Sequence, residues 1–248
     1  MKARAMLRQR LLPSFLAGLF FLAGASTAYA SPPVDWKKQG FSMRMWMDNK
    51  GVFGRQAYNE GNNIPADTLG LEYPIGTGVE HIFGGGVWVG GFLDTSASGN
   101  NTPLKLVTTG YEGWSGPLYE TYPGFDVADS VWQTSKRDSI APPGWDTYWG
   151  DELPFSPISD KDLHVKYTDY GRAVSGHVPL NLRIYQSSYA WEDPYADAII
   201  IVEYLIMNDG NKTIDSAFVG WFFEADVGPR SVGSYWTRNF TAYIPGSF

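Results

Sequence analysis

Beyond residue 31 an alternation of apolar and polar side chains with period two is frequent, and the 3.6-residue spacing of an amphipathic helix is hard to find. Period two places successive side chains on opposite faces of an extended backbone, so it selects strands that bury one face. Leu163, Val165 and Tyr167 alternate with His164, Lys166 and Thr168. Leu180, Leu182 and Ile184 alternate with Asn181, Arg183 and Tyr185. Over Gln39–Asp48, Phe41, Met43, Met45 and Met47 point one way, and Ser42, Arg44 and Trp46 the other. Asp48-Asn49-Lys50-Gly51 is the turn that reverses this strand.

Other segments fit the same scheme. Val79–Leu93 reads as a strand, a glycine-rich break and a second strand, with Val87, Val89 and Phe92 as core positions. Gly84-Gly85-Gly86 and Gly90-Gly91 suggest bulges or close backbone approach. Ala198–Met207 (AIIIVEYLIM) is apolar on both faces except at Glu203, which predicts a central strand covered on both sides. Asn208-Asp209-Gly210-Asn211 follows as a hairpin loop, Ser216–Glu224 as the returning partner, and Tyr235–Ile244 as a further strand. Glycine and proline together supply 44 of 248 residues, enough for frequent turns. Residues 94–103 form a small polar loop; residues 112–160 form a long one, rich in Pro, Gly, Trp and Asp. About ten strands without intervening helices imply an all-β fold, an antiparallel β-sandwich with long aromatic- and Gly/Pro-rich loops.

The first 30 residues are different. Residues 1–10 are basic, Leu11–Ala25 is an apolar run, and Ala28-Tyr29-Ala30 is a small-x-small box. Together they read as a secretory signal peptide. The run is shorter than the roughly 20 residues that span a bilayer, and no later stretch is apolar enough to cross one. The mature chain is expected to start near Ser31, outside the cytoplasm, as a single β-rich domain over 31–248. It ends just after a predicted strand, so it is expected to be the N-terminal part of a longer protein.

Removing the signal leaves 15 basic against 26 acidic side chains. That balance excludes a basic nucleic-acid footprint and disfavours anionic membranes. With no Cys there is no disulfide, thiolate zinc site, iron–sulfur cluster or thiol nucleophile. Packing or bound ions must then stabilise an exported chain. Three scattered His argue against a His-built metal site or triad. Neither H-E-x-x-H, G-x-S-x-G, the P-loop pattern nor G-x-G-x-x-G occurs.

Two site readings remain. Asp160 and Asp162 stand two apart at the start of one strand, Asp169 in the turn that ends it, and Glu224 and Asp226 at the end of another. Such acids suit calcium, which takes six to eight oxygens, many from loops. Calcium is the one cofactor the sequence suggests. Trp114, Trp145, Tyr148 and Trp149 lie in Gly/Pro-rich loop segments, where flat rings beside acids form platforms for sugars or anchor loops by packing. Asp151-Glu152 and Glu224/Asp226 are the obvious carboxylate pairs for glycosidase chemistry, although solvated acids explain them as well. No catalytic residue is assigned.

Three segments carry a family resemblance: YPIGTGVEHIFGGGVWVGG (Tyr73–Gly91), PISDKDLHVKYTDYG (Pro157–Gly171), and Leu180–Gly228. Over roughly residues 40–230 the chain resembles the N-terminal region of large uncharacterised secreted bacterial proteins, many of which end in a type IX secretion sorting domain. The resemblance implies a bacterial, secreted or cell-surface location and no particular activity. The expected function is a non-catalytic β-sandwich module, the structural or binding part of a larger extracellular protein, with glycans or cell-surface components as partners. The rival readings are a segment of a secreted hydrolase of polysaccharide or peptide, and a carbohydrate-binding module.

Overall fold

The computed structural model describes residues 36–54, 69–94, 102–110, 125–127, 131–135, 157–171, 177–229 and 231–234. Residues 31–248 form one compact unit. The described residues contain twelve strands and no helix, and the paired strands all run antiparallel. The strands are β1 (Trp36–Gln39), β2 (Arg44–Asp48), β3 (Phe53–Gly54), β4 (Leu71–Glu72), β5 (Val79–Leu93), β6 (Leu104–Thr109), β7 (Asp126–Val127), β8 (Trp132–Ser135), β9 (Lys161–Thr168), β10 (Leu182–Ala190), β11 (Ile200–Asn208) and β12 (Ile214–Pro229). The all-β class read from the sequence is the class observed.

Seven strands form one sheet in the order β1-β2-β3-β5-β12, with β4 beside β2 and β5, and β6 beside β5. The other five form a sheet ordered β11-β10-β9-β7, with β8 also on β9. Side chains from both sheets enter one apolar cluster. Met45, Met47, Phe53, Val87, Val89 and Leu93 come from the first sheet, and Leu163, Val165, Tyr167, Leu182 and Ile184 from the second. The alternation read in β9 and β10 holds: Leu163, Val165, Tyr167, Leu180, Leu182 and Ile184 are all buried. Polar groups reinforce the contact. Gln39 Nε2 donates to the carbonyls of Lys161 (2.7 Å) and Ser188 (2.8 Å), and Gln186 Nε2 to Met47 Sδ (2.9 Å).

Several expectations are corrected. Gln39–Asp48 is not one strand but the β1–β2 hairpin, with Gln39 opposite Met45. The reason is Gly40, at φ 111°, where a Cβ would fall 1.8 Å from the Met43 carbonyl oxygen. The turn at Asp48–Gly51 is present: Asp48 Oδ1 accepts the N–H groups of Lys50 (2.8 Å) and Val52 (2.9 Å).

Val79–Leu93 is one 15-residue strand rather than two. Its glycines admit neighbours. A Cβ on Gly85 would lie 2.6 Å from the Phe222 carbonyl oxygen, while Phe53 and Phe223 stand opposite it on either side. Val87 and Val89 are core residues as expected. Phe92 falls on the other face under Lys105 Nζ, and Leu93 takes the buried position.

The largest correction concerns AIIIVEYLIM. Among the described residues β11 pairs only with β10 and stands at the end of its sheet, not at its centre. Its partner β10 is the strand flanked on both sides. The following loop does not close a hairpin either. The chain crosses to the other sheet, where β12 pairs with β5 and not with β11. Asn181 directs this crossing: its carbonyl accepts the Asp209 N–H at 2.8 Å. Residues 1–30 and the expected strand at 235–244 lie outside the described residues.

These positions differ in what a truncation removes. Leu163→Ala empties a fully buried site and is expected to cost about 2–5 kcal/mol in urea denaturation. Ile201→Ala, half exposed on the edge strand, is expected to cost about 1 kcal/mol or less. Equal losses at the two positions would show β11 to be covered.

Candidate functional site

The acids singled out in the sequence do not converge. Asp162 lies near the start of β9 and Asp169 just past its end, seven residues or about 23 Å apart along the strand. Glu224 and Asp226 stand on β12 in the other sheet. Among the described residues no three His, Asp or Glu side chains group as metal ligands.

Most of these acids receive backbone N–H groups instead. Asp162 accepts Ile158 N (2.7 Å), Ser159 N (2.9 Å) and the Ser159 hydroxyl. Asp160 Oδ2 accepts Glu192 N at 3.0 Å. Asp169 is buried and accepts Leu180 N, Leu182 N and Thr108 Oγ1 at 2.7, 2.7 and 2.9 Å. Burial raises its pKa even though these donors pull it down. The same pattern recurs at acids the sequence reading passed over. Glu80, also buried, accepts Gly70 N at 2.6 Å. Glu72 accepts Gly76 N (2.9 Å) and Gly78 N (3.1 Å) and pairs with Arg44. Asp162 and Glu72 bind amides three to six residues away, much as an Asx turn does, whereas Glu80 and Asp169 reach amides ten to thirteen residues away and so tie separate segments together.

A polar row crosses the outward face of the five-stranded sheet. Trp132, His164, Ser187 and Glu203 stand opposite one another on β8, β9, β10 and β11. His164 Nδ1 lies 2.9 Å from Ser187 Oγ, and Nε2 lies 3.2 Å from Thr134 Oγ1. Tyr189 donates to Glu203 Oε2 at 2.7 Å. Burial lowers the His164 pKa and so favours the neutral ring. A serine–histidine contact invites comparison with a nucleophile and its base. Here Thr134 Oγ1 lies against the second imidazole nitrogen, and Ser187 sits mid-strand. The row joins β8, β9, β10 and β11 sideways. Trp114, Trp145, Tyr148 and Trp149 lie outside the described residues, as do Asp151 and Glu152.

The feature with a functional shape is the side of the molecule where β11 and β12 lie. Val219 and Trp221 stand opposite Val87 and Val89 in reverse order, which puts the Val219-Trp221-Phe223 row on the core side of β12. Yet these three are 57%, 43% and 44% exposed. Across from them, the inward row of β11 (Ile200, Val202, Tyr204, Ile206) is only partly buried. Trp221 bridges the two strands. Its ring meets Tyr204 edge-on at 5.1 Å and Phe53 at 5.8 Å. The Tyr204 hydroxyl is buried without a hydrogen-bond partner. The apolar interior is therefore open along a seam between the last strands of the two sheets.

The sequence contained a signal for this seam. Two successive apolar runs, AIIIVEYLIM and AFVGWFF, lack the alternation of β9 and β10. Such a run marks a strand with both faces meant for cover; it does not say whether this chain supplies that cover.

Comparison with known proteins gives no match: no family model, curated protein or solved structure is similar to the chain.

The loop-fixing role of the acids predicts a pH dependence. Burial alone would raise the Glu72 pKa; the amides of Gly78 and Gly76 and the Arg44 guanidinium more than offset it and hold the group below its ordinary value of 4.5. The unfolded chain then binds the proton more readily. The ionised group thus contributes stability above 4.5 that is lost as pH falls through the lower folded value. Glu72→Gln should be less stable than wild type at neutral pH, and the gap should close in acid. Denaturation midpoints measured across that range check this; a constant gap would refute it.

Proposed function

We propose that the chain is an exported, non-catalytic β-sandwich module that forms the structural or binding part of a larger cell-surface or extracellular protein. The open seam is the observation that supports this most directly. An interior left uncovered on one side fits a unit that is completed by further β-structure. The edge strands also lack the usual protection against pairing. Ile200–Asn208 has no Lys or Pro, and its single charge, Glu203, is engaged by Tyr189. Exposed apolar edges of this kind are where extended segments add as an extra strand. Export is supported by the basic start, the short apolar run and the Ala-Tyr-Ala box. No helix among the described residues is long and apolar enough to cross a membrane.

Two experiments test the reading. Expressed with its own leader in a bacterium, the chain should be recovered outside the cytoplasm with an N-terminus near Ser31, as read by mass spectrometry. Intact precursor in the cytosol would overturn the export reading. For attachment, Ile201→Lys combined with Leu205→Lys places edge guards on β11. The fold should persist by circular dichroism, while the fraction held on washed cells falls severalfold. Unchanged retention would remove the β11 edge from the binding surface.

A further inference from the structure

We infer that residues 191–199, the loop between β10 and β11, bind a neutral glycan, with the ring of Tyr195 as the stacking platform and the carboxylates of Glu192 and Asp193 as acceptors for sugar hydroxyls. The inference rests on reading the chain as the binding part of a larger extracellular protein and names the class of its partner.

The loop is held from within. Asp193 Oδ1 accepts the Tyr195 N–H at 2.9 Å, an Asx turn in which Pro194 fixes the intervening φ. The Asp193 carbonyl accepts the Ala196 N–H at 2.8 Å, and the Ala196 carbonyl the Ile199 N–H at 3.0 Å. It is also tied to its surroundings. Glu192 N donates to Asp160 Oδ2 at 3.0 Å, just ahead of β9. The Asp197 carbonyl accepts Ser42 N (3.2 Å) and Met43 N (3.4 Å) from the β1–β2 turn. The Ser42 carbonyl in turn accepts Ile75 N at 2.9 Å, from the connection between β4 and β5. Three connections, drawn from both sheets, are thus joined at one end of the molecule.

On this fixed support one ring stands in water. Tyr195 is 97% exposed; the next most exposed tyrosine among the described residues, Tyr73, is at 41% and lies on the linked β4–β5 connection beside exposed Ile75. A lone ring on a loose loop would be ordinary surface. Here the backbone beneath the ring is already ordered, so little freedom is lost on binding, and tyrosine brings a wide contact with few rotatable bonds. Loops fixed on a rigid scaffold are where binding side chains concentrate.

The neighbouring groups select the ligand. Glu192 and Asp193 are exposed on either side of Pro194 and the ring's own backbone, Asp197 is half-buried, and none of the three forms an ion pair among the described residues. An ionised carboxylate only accepts hydrogen bonds. An apolar protein surface would bury these acceptors unpaired, and an acidic ligand would be repelled. A neutral sugar meets both demands: its C–H face covers the ring, and its hydroxyls donate to the carboxylates.

Affinity electrophoresis of the whole chain through neutral polysaccharides (a soluble cellulose derivative, a β-glucan, a mannan and a xylan) and through a uronic-acid polymer tests this. At least one neutral polymer should retard the chain, and retardation should persist in about 0.5 M NaCl. Tyr195→Ala should weaken binding about tenfold, the loss expected for one stacked ring, and Tyr195→Trp should retain it. Glu192→Ala should weaken it by a smaller factor. Because the ring is exposed, Tyr195→Ala should leave the denaturation midpoint unchanged, which separates lost binding from lost folding. No retardation by any neutral polymer overturns the inference, as does retardation that survives Tyr195→Ala. Capture on polylysine that salt abolishes, with no glycan bound, would assign the surface to a cationic partner and overturn it as well. Each of these results leaves the export and β11 measurements untouched, so this inference can fail while the module reading stands.

Discussion

Apolar side chains from two sheets, buried in one cluster, are the contact on which the rest of this molecule depends. Leu163, Val165, Tyr167, Leu182 and Ile184 on one side, and Met45, Met47, Phe53, Val87 and Val89 on the other, leave solvent almost entirely. Burial of this kind is the main favourable term in folding. It also imposes the covalent pattern, because period two is the only spacing that keeps one face of an extended chain apolar. The glycines of β5 follow from the same demand. β5 is flanked by β12 along one edge and by β4, β3 and β6 in turn along the other, and Gly85 lets the backbones and rings at its centre close up.

No disulfide contributes, and the loops between strands are numerous. The acidic side chains take up that task. Asp48, Glu72, Glu80, Asp162 and Asp169 are each buried, and each accepts backbone N–H groups from a nearby turn or strand end. A buried carboxylate is costly unless it is hydrogen-bonded, and bonds to a charged acceptor are stronger than neutral ones. An acidic composition thus does double duty. Exposed acids give the chain its net negative charge, and buried ones fix its turns.

This division explains what could be read from the chain alone. β9 and β10 were legible because each has neighbours on both edges and one buried face, so alternation and burial coincide. The Asp48–Gly51 turn was legible because its chemistry is local. Gly40 was not: an apolar-polar alternation continues straight through a residue whose positive φ folds the segment into a hairpin. β11 was misread for a deeper reason. An apolar run reports that a strand wants cover on both faces, but whether cover exists depends on chain elements far away. The acids were legible as a pattern, since D-x-D at a strand start is a recognisable spacing. Their partners were not, because which backbone amides reach a carboxylate depends on how the neighbouring loops fold. The polar row at His164 and Ser187 was missed altogether; residues 23 apart in sequence meet only through register.

The seam is where these threads meet. The exposed stretch of β12 and the inward row of β11 carry almost no charge, and Tyr204 buries a hydroxyl there with nothing to bond. A surface selected only for solubility would have placed Lys, Glu or Pro on such strands. An interior that is finished would have paired or removed that hydroxyl. Both features fall where β11 and β12 leave the apolar interior exposed. Phe218–Glu224 keeps unbroken register with β5, so the rings of Trp221 and Phe223 lie along one continuous apolar stretch beside Tyr204 and Phe53.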